Sequence, residues 1–276
     1  MANLGCLCII ASVDTAKPKR TFILAKQAVT FALQGLNQLF WPPVCINCRE
    51  SICETDNNLC QNCWDQLLSC AGADYCPNCG RDASRYALLE DTCPDCQGKE
   101  IHFDAIARGG VYRVGEALQR MIIAFKKGRT ELDSTLGFLA NSALQGSGFC
   151  NDIDLFVPVP LHWSRQLVRG YNQSQLLVRK LEHPAAKIST DLVRIRRTEF
   201  QTSFDDSTAW EAKRAANVAG AFAVRYGHSF ANRKICLVDD IKTTGATLNE
   251  CAKTLKQAGA SKVFALVLAV AGQNRA

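Results

Sequence analysis

Late in the chain, four aliphatic or apolar residues, Ile235-Cys236-Leu237-Val238, run straight into Asp239-Asp240-Ile241-Lys242-Thr243-Thr244-Gly245-Ala246-Thr247. A continuous apolar run of this kind is the mark of a central parallel strand. Such a strand delivers its loop to the C-terminal edge of the sheet, where open α/β proteins bind ligands. A helix is predicted next, with Leu248, Cys251, Ala252 and Leu255 on one face. The free backbone N–H groups at its start, with threonine hydroxyls beside them, form an anion cradle, and Gly245 permits close approach. Asp239 and Asp240 sit at the strand tip, placed to accept hydrogen bonds from ribose hydroxyls or to orient a Mg2+ that carries a pyrophosphate.

A second chemistry lies upstream. Ten of the fifteen cysteines fall between Cys45 and Cys96, and eight of them form C-x-x-C pairs: Cys45/Cys48, Cys60/Cys63, Cys76/Cys79 and Cys93/Cys96. Two such turns bring four thiolates onto one tetrahedral ion, so the eight ligands make two structural Zn2+ sites. Redox use of C-x-x-C takes one motif at a helix start rather than four in series. Pairing could be sequential or interleaved, and sequential is the simpler arrangement. Gly80, after Cys76-Pro77-Asn78-Cys79, relieves a tight turn. Cys53 and Cys70 stand outside the pairs and read as small apolar fillers.

These residues need a scaffold. Residues 45–96 have little apolar core of their own and must be held by metal. Thr21 to Phe40 shows helical spacing and is stopped by Trp41-Pro42-Pro43. After a boundary near Lys99–Asp104, strand and helix signals repeat, which predicts an α/β domain with a parallel sheet. Leu118, Met121, Ile122 and Phe125 form a helical stripe that Gly128 ends. Leu155 to Val159 is a short buried strand, Asn172 opens a helix, and Val263 to Ala271 is a last buried strand. The expected organisation is therefore an extension over 1–43, a double zinc-ribbon module over 44–100 and an α/β domain over 101–276.

Composition fits a globular protein, with 47% hydrophobic and 21% charged residues. No apolar stretch reaches the ~20 residues of a membrane helix, and the N-terminus lacks the basic region of a secretory signal; a cytoplasmic protein is expected. Charge is uneven. Residues 1–100 hold 8 Lys/Arg against 11 Asp/Glu, whereas residues 101–276 hold 24 against 15. Phosphate-rich ligands or nucleic acid suit the second half.

The run from Ile235 to Thr247 resembles the phosphoribosyltransferase motif, in which aliphatics precede two acids and a Thr-Thr-Gly-x-Thr loop. Pro158-Val159-Pro160-Leu161, Arg165, Arg169-Gly170-Tyr171-Asn172-Gln173, Arg196, Thr198, Gln201, Arg214, Asn217 and Gly220-Ala221-Phe222 resemble the ComF family of competence-associated proteins, which also carry a cysteine-rich zinc module. The resemblance runs from about Phe40 to Ala271, with longer spacing between Gln201 and Arg214. It implies a type I phosphoribosyltransferase-like fold, a parallel sheet flanked by helices, that binds 5-phosphoribosyl-1-pyrophosphate (PRPP) with Mg2+ and transfers the phosphoribosyl group to an unnamed acceptor. Asp239 and Asp240 would contact the ribose hydroxyls; Thr243, Thr244, Gly245, Ala246 and Thr247 would hold the 5′-phosphate. Arg165 and Arg169 would lie on the pyrophosphate side of a loop over Pro160–Gly170. Arg194, Arg196 and Arg197 would either close over the ligand as a mobile loop or form a solvent-facing basic cluster. Lys242 stands where many members have an aliphatic residue, so its side chain is expected to point outward. The alternative implied by the family is a nucleic-acid-handling protein of DNA uptake that binds single-stranded DNA or a partner helicase. His162 and His183 are expected to be neither catalysts nor ligands.

Overall fold

The structure, a computed structural model, describes residues 44–272 apart from 53–58, 72–73, 85, 87, 89–91 and 199–207. The expected helix over 21–40 and Cys53 lie outside the described residues. In chain order the elements are α1 (Gln61–Ser69), β1 (Ala105–Tyr112), α2 (Ala117–Lys126), α3 (Asp133–Gln145), β2 (Leu155–Pro158), α4 (Trp163–Arg169), α5 (Gln173–Val178), β3 (Lys187–Ile188), β4 (Leu192–Arg194), α6 (Thr208–Val218), β5 (Phe222–Val224), β6 (Lys234–Lys242), α7 (Ala246–Gln257) and β7 (Lys262–Ala271).

Five strands pair in the order β1-β7-β6-β2-β3, every pair parallel. Both faces of the two middle strands are covered. On β6, Cys236 and Val238 join the core under α2, α3 and α5, while Ile235 and Leu237 join the core under α7. On β7, Phe264, Leu266 and Leu268 turn one way and Val263, Ala265 and Val267 the other. Burial on both sides is why these strands read as unbroken apolar runs. β4 and β5 form a separate antiparallel pair beside α7. The expected α/β fold with a parallel sheet behind a cysteine-rich module is thus present. Asn172 caps α5, its side chain accepting from the Ser174 amide, and the predicted stripe of α2 is fully buried.

The cysteine-rich module docks on the open edge of the sheet. β1 would otherwise leave a row of unpaired N–H groups along that edge. The Ile106 amide donates to Pro77 O at 2.8 Å and the Val111 amide to Cys70 O at 3.0 Å. Arg108, buried at 5% exposure, reaches out of β1 to donate to Gly80 O at 2.7 Å and to pair with Asp82 at 2.5 Å. The two parts share a core as well, because Leu59, Cys63, Leu67 and Cys70 pack with Leu118 and Met121.

Contact this close explains a glycine in mid-strand. A Cβ on Gly110 would stand 2.6 Å from Cys70 O, a backbone atom that cannot swing aside. Gly110→Ala is expected to lower the unfolding free energy by about 1–3 kcal/mol, measured by urea denaturation. Gly148→Ala is the control: it has open space and no positive φ, and should change stability by less than about 0.5 kcal/mol.

Candidate functional site

A cleft of about 370 Å³ opens at the C-terminal ends of the strands. Tyr112 lines it from the end of β1, Val159 and Pro160 from beyond β2, Arg194 from the end of β4 and Asp239 to Lys242 from the end of β6. Thr243 to Thr247 line it too, so the structure gathers the predicted loop residues at one place with Arg165 and Arg169. β6 leaves the sheet and α7 begins after only three residues. Gly245 takes the left-handed conformation, φ 86°, as the N-cap of α7, a region in which a Cβ is strained. The Ala246 amide donates to Thr244 Oγ1 at 3.3 Å, which sets the threonine hydroxyl at the head of the helix.

The adjacent acids have different surroundings. Asp240, 8% exposed, pairs with Lys126 Nζ at 3.1 Å. Asp239 accepts from Ser174 Oγ at 3.1 Å and from the Asp240 amide at 2.9 Å. Asp239 keeps some surface at the cleft floor but is ringed by protein. Burial, and then the neighbouring Asp240 carboxylate, push it up to about 7 from 3.8, against the pull of the Asp240 amide, Lys126 and Ser174.

Six cationic side chains, Lys126, Arg165, Arg169, Arg194, Arg214 and Lys242, line the cleft with these two carboxylates. Burial pulls Arg165, Arg194 and Arg214 down from the ordinary arginine range, and the Arg165 shift is deepened by Arg194, Arg169 and Arg197. Gln173 and Arg194 line the cleft, and Gln173 Nε2 and Arg194 Nε are buried donors with no hydrogen-bond partner among the described residues. Buried donors of this kind ask for an acceptor. The excess of cations makes that acceptor anionic.

Several expectations need correction. Lys242 does not point outward: it is 5% exposed, and its Cε stands 2.8 Å from where a Cβ on Gly245 would be. Most of the expected loop over Pro160–Gly170 is helix α4, closed by Gly170 at φ 77°. Of the three arginines read as a closing loop or a basic cluster, Arg194 lines the cleft, whereas Arg196 turns to the end of α6 and donates to Asn217 O at 3.2 Å. Gln201 lies outside the described residues. His162 caps α4, and His183 holds a turn, its Nδ1 accepting from the Ala185 and Ala186 amides and its Nε2 donating to Cys150 O. Lys126 and Ser174 were not singled out from the sequence, since each meets its aspartate only through the fold.

The cysteines gather into two tetrads in sequential pairing: Cys45, Cys48, Cys60 and Cys63, then Cys76, Cys79, Cys93 and Cys96. A tetrahedral ion with Zn–S of about 2.3 Å sets its sulfurs about 3.8 Å apart. Observed Sγ–Sγ separations are 3.5 Å for Cys48–Cys60, 3.6 Å for Cys79–Cys93 and 3.9 Å for Cys76–Cys96. The donor set and spacing fit zinc. The two knuckles repeat one backbone pattern, with Arg49 N bonding Cys45 O at 2.8 Å and Gly80 N bonding Cys76 O at 2.7 Å, both residues at positive φ. Cys70 is buried and its thiol donates to Gln66 O, outside both tetrads.

A parallel α/β sheet whose central strand ends in paired carboxylates and a glycine–threonine loop, docked on two cysteine tetrads, defines the class of protein. The double zinc ribbon domain matches residues 36–97. Over 226 residues, 79% of this chain and 93% of the relative, the sequence is 31% identical to competence protein F of Haemophilus influenzae. It is 26% identical over 227 residues, 80% and 94% of the two chains, to the DNA utilization protein YhgH of Salmonella typhimurium. The chain belongs to the ComF family of competence protein F. A hypoxanthine phosphoribosyltransferase of Staphylococcus aureus aligns over 51% of this chain and 62% of its own, with 13% identity and a TM-score of 0.28, too slight a likeness to carry more. Among the described residues no helix is long and apolar enough to cross a membrane.

Two predictions follow from this geometry. Elemental analysis should find two zinc ions per chain, falling to about one in a chain with Cys76→Ser and Cys79→Ser; an undiminished count would refute the paired sites. The raised Asp239 carboxyl means that the folded state binds a proton more tightly than the unfolded chain, so stability falls as pH rises from about 4 to about 7. Asp239→Asn removes that slope. Its stability relative to the wild type, measured by urea unfolding, should therefore increase between about pH 5 and about pH 8, and a constant difference would contradict the assignment.

Proposed function

We propose that the cleft binds PRPP and that the protein transfers its phosphoribosyl group. The observation that carries this reading is the meeting of half-buried guanidiniums and unpartnered buried donors with the Gly245 loop and two carboxylates. One ligand that satisfies all of them has a phosphate at one end, vicinal hydroxyls in the middle and a second anionic group at the other. In this reading the amides and hydroxyls of Thr243 to Thr247 hold the 5′-phosphate, and Asp239 and Asp240 accept from the ribose hydroxyls. Arg165 and Arg169 lie on the pyrophosphate side, where their planar donors suit phosphate oxygens. Mg2+ arrives with the pyrophosphate: among the described residues the clusters of metal-ligating side chains are the cysteine tetrads alone. Transfer then displaces pyrophosphate, whose growing charge the arginines stabilise. Zinc supplies structure and takes no part in the step.

A second reading is nucleic-acid handling in DNA uptake, with single-stranded DNA or a partner helicase. It is supported by the names of the relatives and by Trp163, which stands 66% exposed on α4 beside the arginine-lined cleft. An exposed indole on the helix that carries Arg165 and Arg169 suits base stacking and backbone contact.

Calorimetry with PRPP and Mg2+ tests the first reading. Asp239→Asn with Asp240→Asn should weaken binding by on the order of 100-fold or more, each charged hydrogen bond being worth about 1.5–3 kcal/mol; unchanged affinity would remove the site. Release of pyrophosphate in a screen of nucleobases then separates transfer from binding. Single-stranded DNA affinity that falls steeply with salt and drops in Trp163→Ala would favour the second reading.

A further inference from the structure

The reversal of the Lys242 expectation has its own chemistry. The side chain turns from the end of β6 back beneath the Gly245 turn, its Nζ 3.3 Å from where a glycine Cβ would be. A second crevice, of about 170 Å³, is walled on one side by Lys242, Thr244 and Gly245 and on the other by Cys79 and Cys96. Lys242 therefore lines both this crevice and the ligand cleft. Lys242 and the Cys79 and Cys96 side of the second tetrad thus line the same small space. Four thiolates around a divalent ion leave a net charge of about −2, which a buried cation beside them would balance. The same wall is tied to the head of α7: Asn249 Nδ2 donates to Glu100 O at 3.0 Å, and its Oδ1 accepts from the His102 amide at 2.6 Å. The chain between the last zinc ligand and β1 is thus pinned one turn beyond the anion loop.

We infer that Lys242 is a positioning residue that couples the Cys76–Cys96 metal site to the Gly245 loop, so that filling one site strengthens the other. The inference rests on the phosphate-binding reading of that loop. With zinc held, the thiolate charge keeps Lys242 and the turn above it in place; with the 5′-phosphate bound, the ordered turn holds the wall of the metal site. Coupling of this kind is reciprocal, and values of about 5–150-fold are usual. The Cys45–Cys63 tetrad is not part of either crevice and serves as the internal control.

Transfer of zinc from the full chain to a chromogenic chelator, with and without saturating PRPP and Mg2+, reads the coupling directly. In the wild type one of the two ions should leave on the order of tenfold more slowly with PRPP, and the other at an unchanged rate. Lys242→Met should abolish the protection while both tetrads still load, and Lys242→Arg, which keeps the charge, should restore part of it. Lys242→Gln supplies a second neutral side chain if the methionine variant does not fold. Ribose 5-phosphate in place of PRPP should protect the same ion, since the shared group is the 5′-phosphate. Zinc loss indifferent to PRPP in a chain that calorimetry shows to bind it, or full protection in a folded neutral variant, overturns the coupling but leaves the ligand site standing. No PRPP binding by the wild type overturns both.

Discussion

The left-handed turn at Gly245 is the constraint on which the cleft depends. β6 is buried on both faces and has three residues in which to leave the sheet and begin α7. A residue with a Cβ would be strained at φ 86° and would meet the Lys242 side chain. Given the turn, the consequences follow in order. Thr243 to Thr247 line the cleft at the head of α7, and the two aspartates of the strand end line it beside them. The cations that gather there are stabilised in part by those aspartates, as the Lys126–Asp240 pair shows.

Metal enters this scheme through the opposite edge of the sheet. β1 lies at the margin, and the cysteine module covers its free donors with Pro77 O and Cys70 O. A module with so little apolar core keeps those acceptors in register only if its knuckles are fixed, and four thiolates on an ion fix them. The ribbon is therefore an edge strand's partner as well as a metal holder. Its second knuckle packs so closely that a Cβ on Gly80 would stand 2.9 Å from Val270.

How much of this was legible in the sequence depended on whether a residue's role was local. β6, β7, the stripe of α2, the Asn172 cap and the paired cysteines were readable because a period, a cap or a spacing encodes each of them. β1 escaped. Its Ala-Ile-Ala-Arg-Gly-Gly sequence has no unbroken apolar run, because Arg108 and the two glycines serve the docked ribbon and the packed helix α3 rather than strand propensity. Lys242 was misjudged for the same reason: a cation after a strand faces solvent unless another part of the fold brings anions to it. The partners of the aspartates, Lys126 and Ser174, come from α2 and α5 and are joined to β6 only by topology. At the site, the loop, the acids and Arg165, Arg169 and Arg194 could be read from the sequence, whereas the places of Lys126 and Lys242 come only from the fold.

Amide hydrogen exchange, followed by mass spectrometry with and without PRPP and Mg2+, tests the proposed site most directly. Protection should rise most in the peptide carrying Thr243 to Thr247, with a smaller rise around Arg165 and Arg169. Unchanged exchange in that peptide at saturating PRPP, or protection confined to another surface, would contradict it.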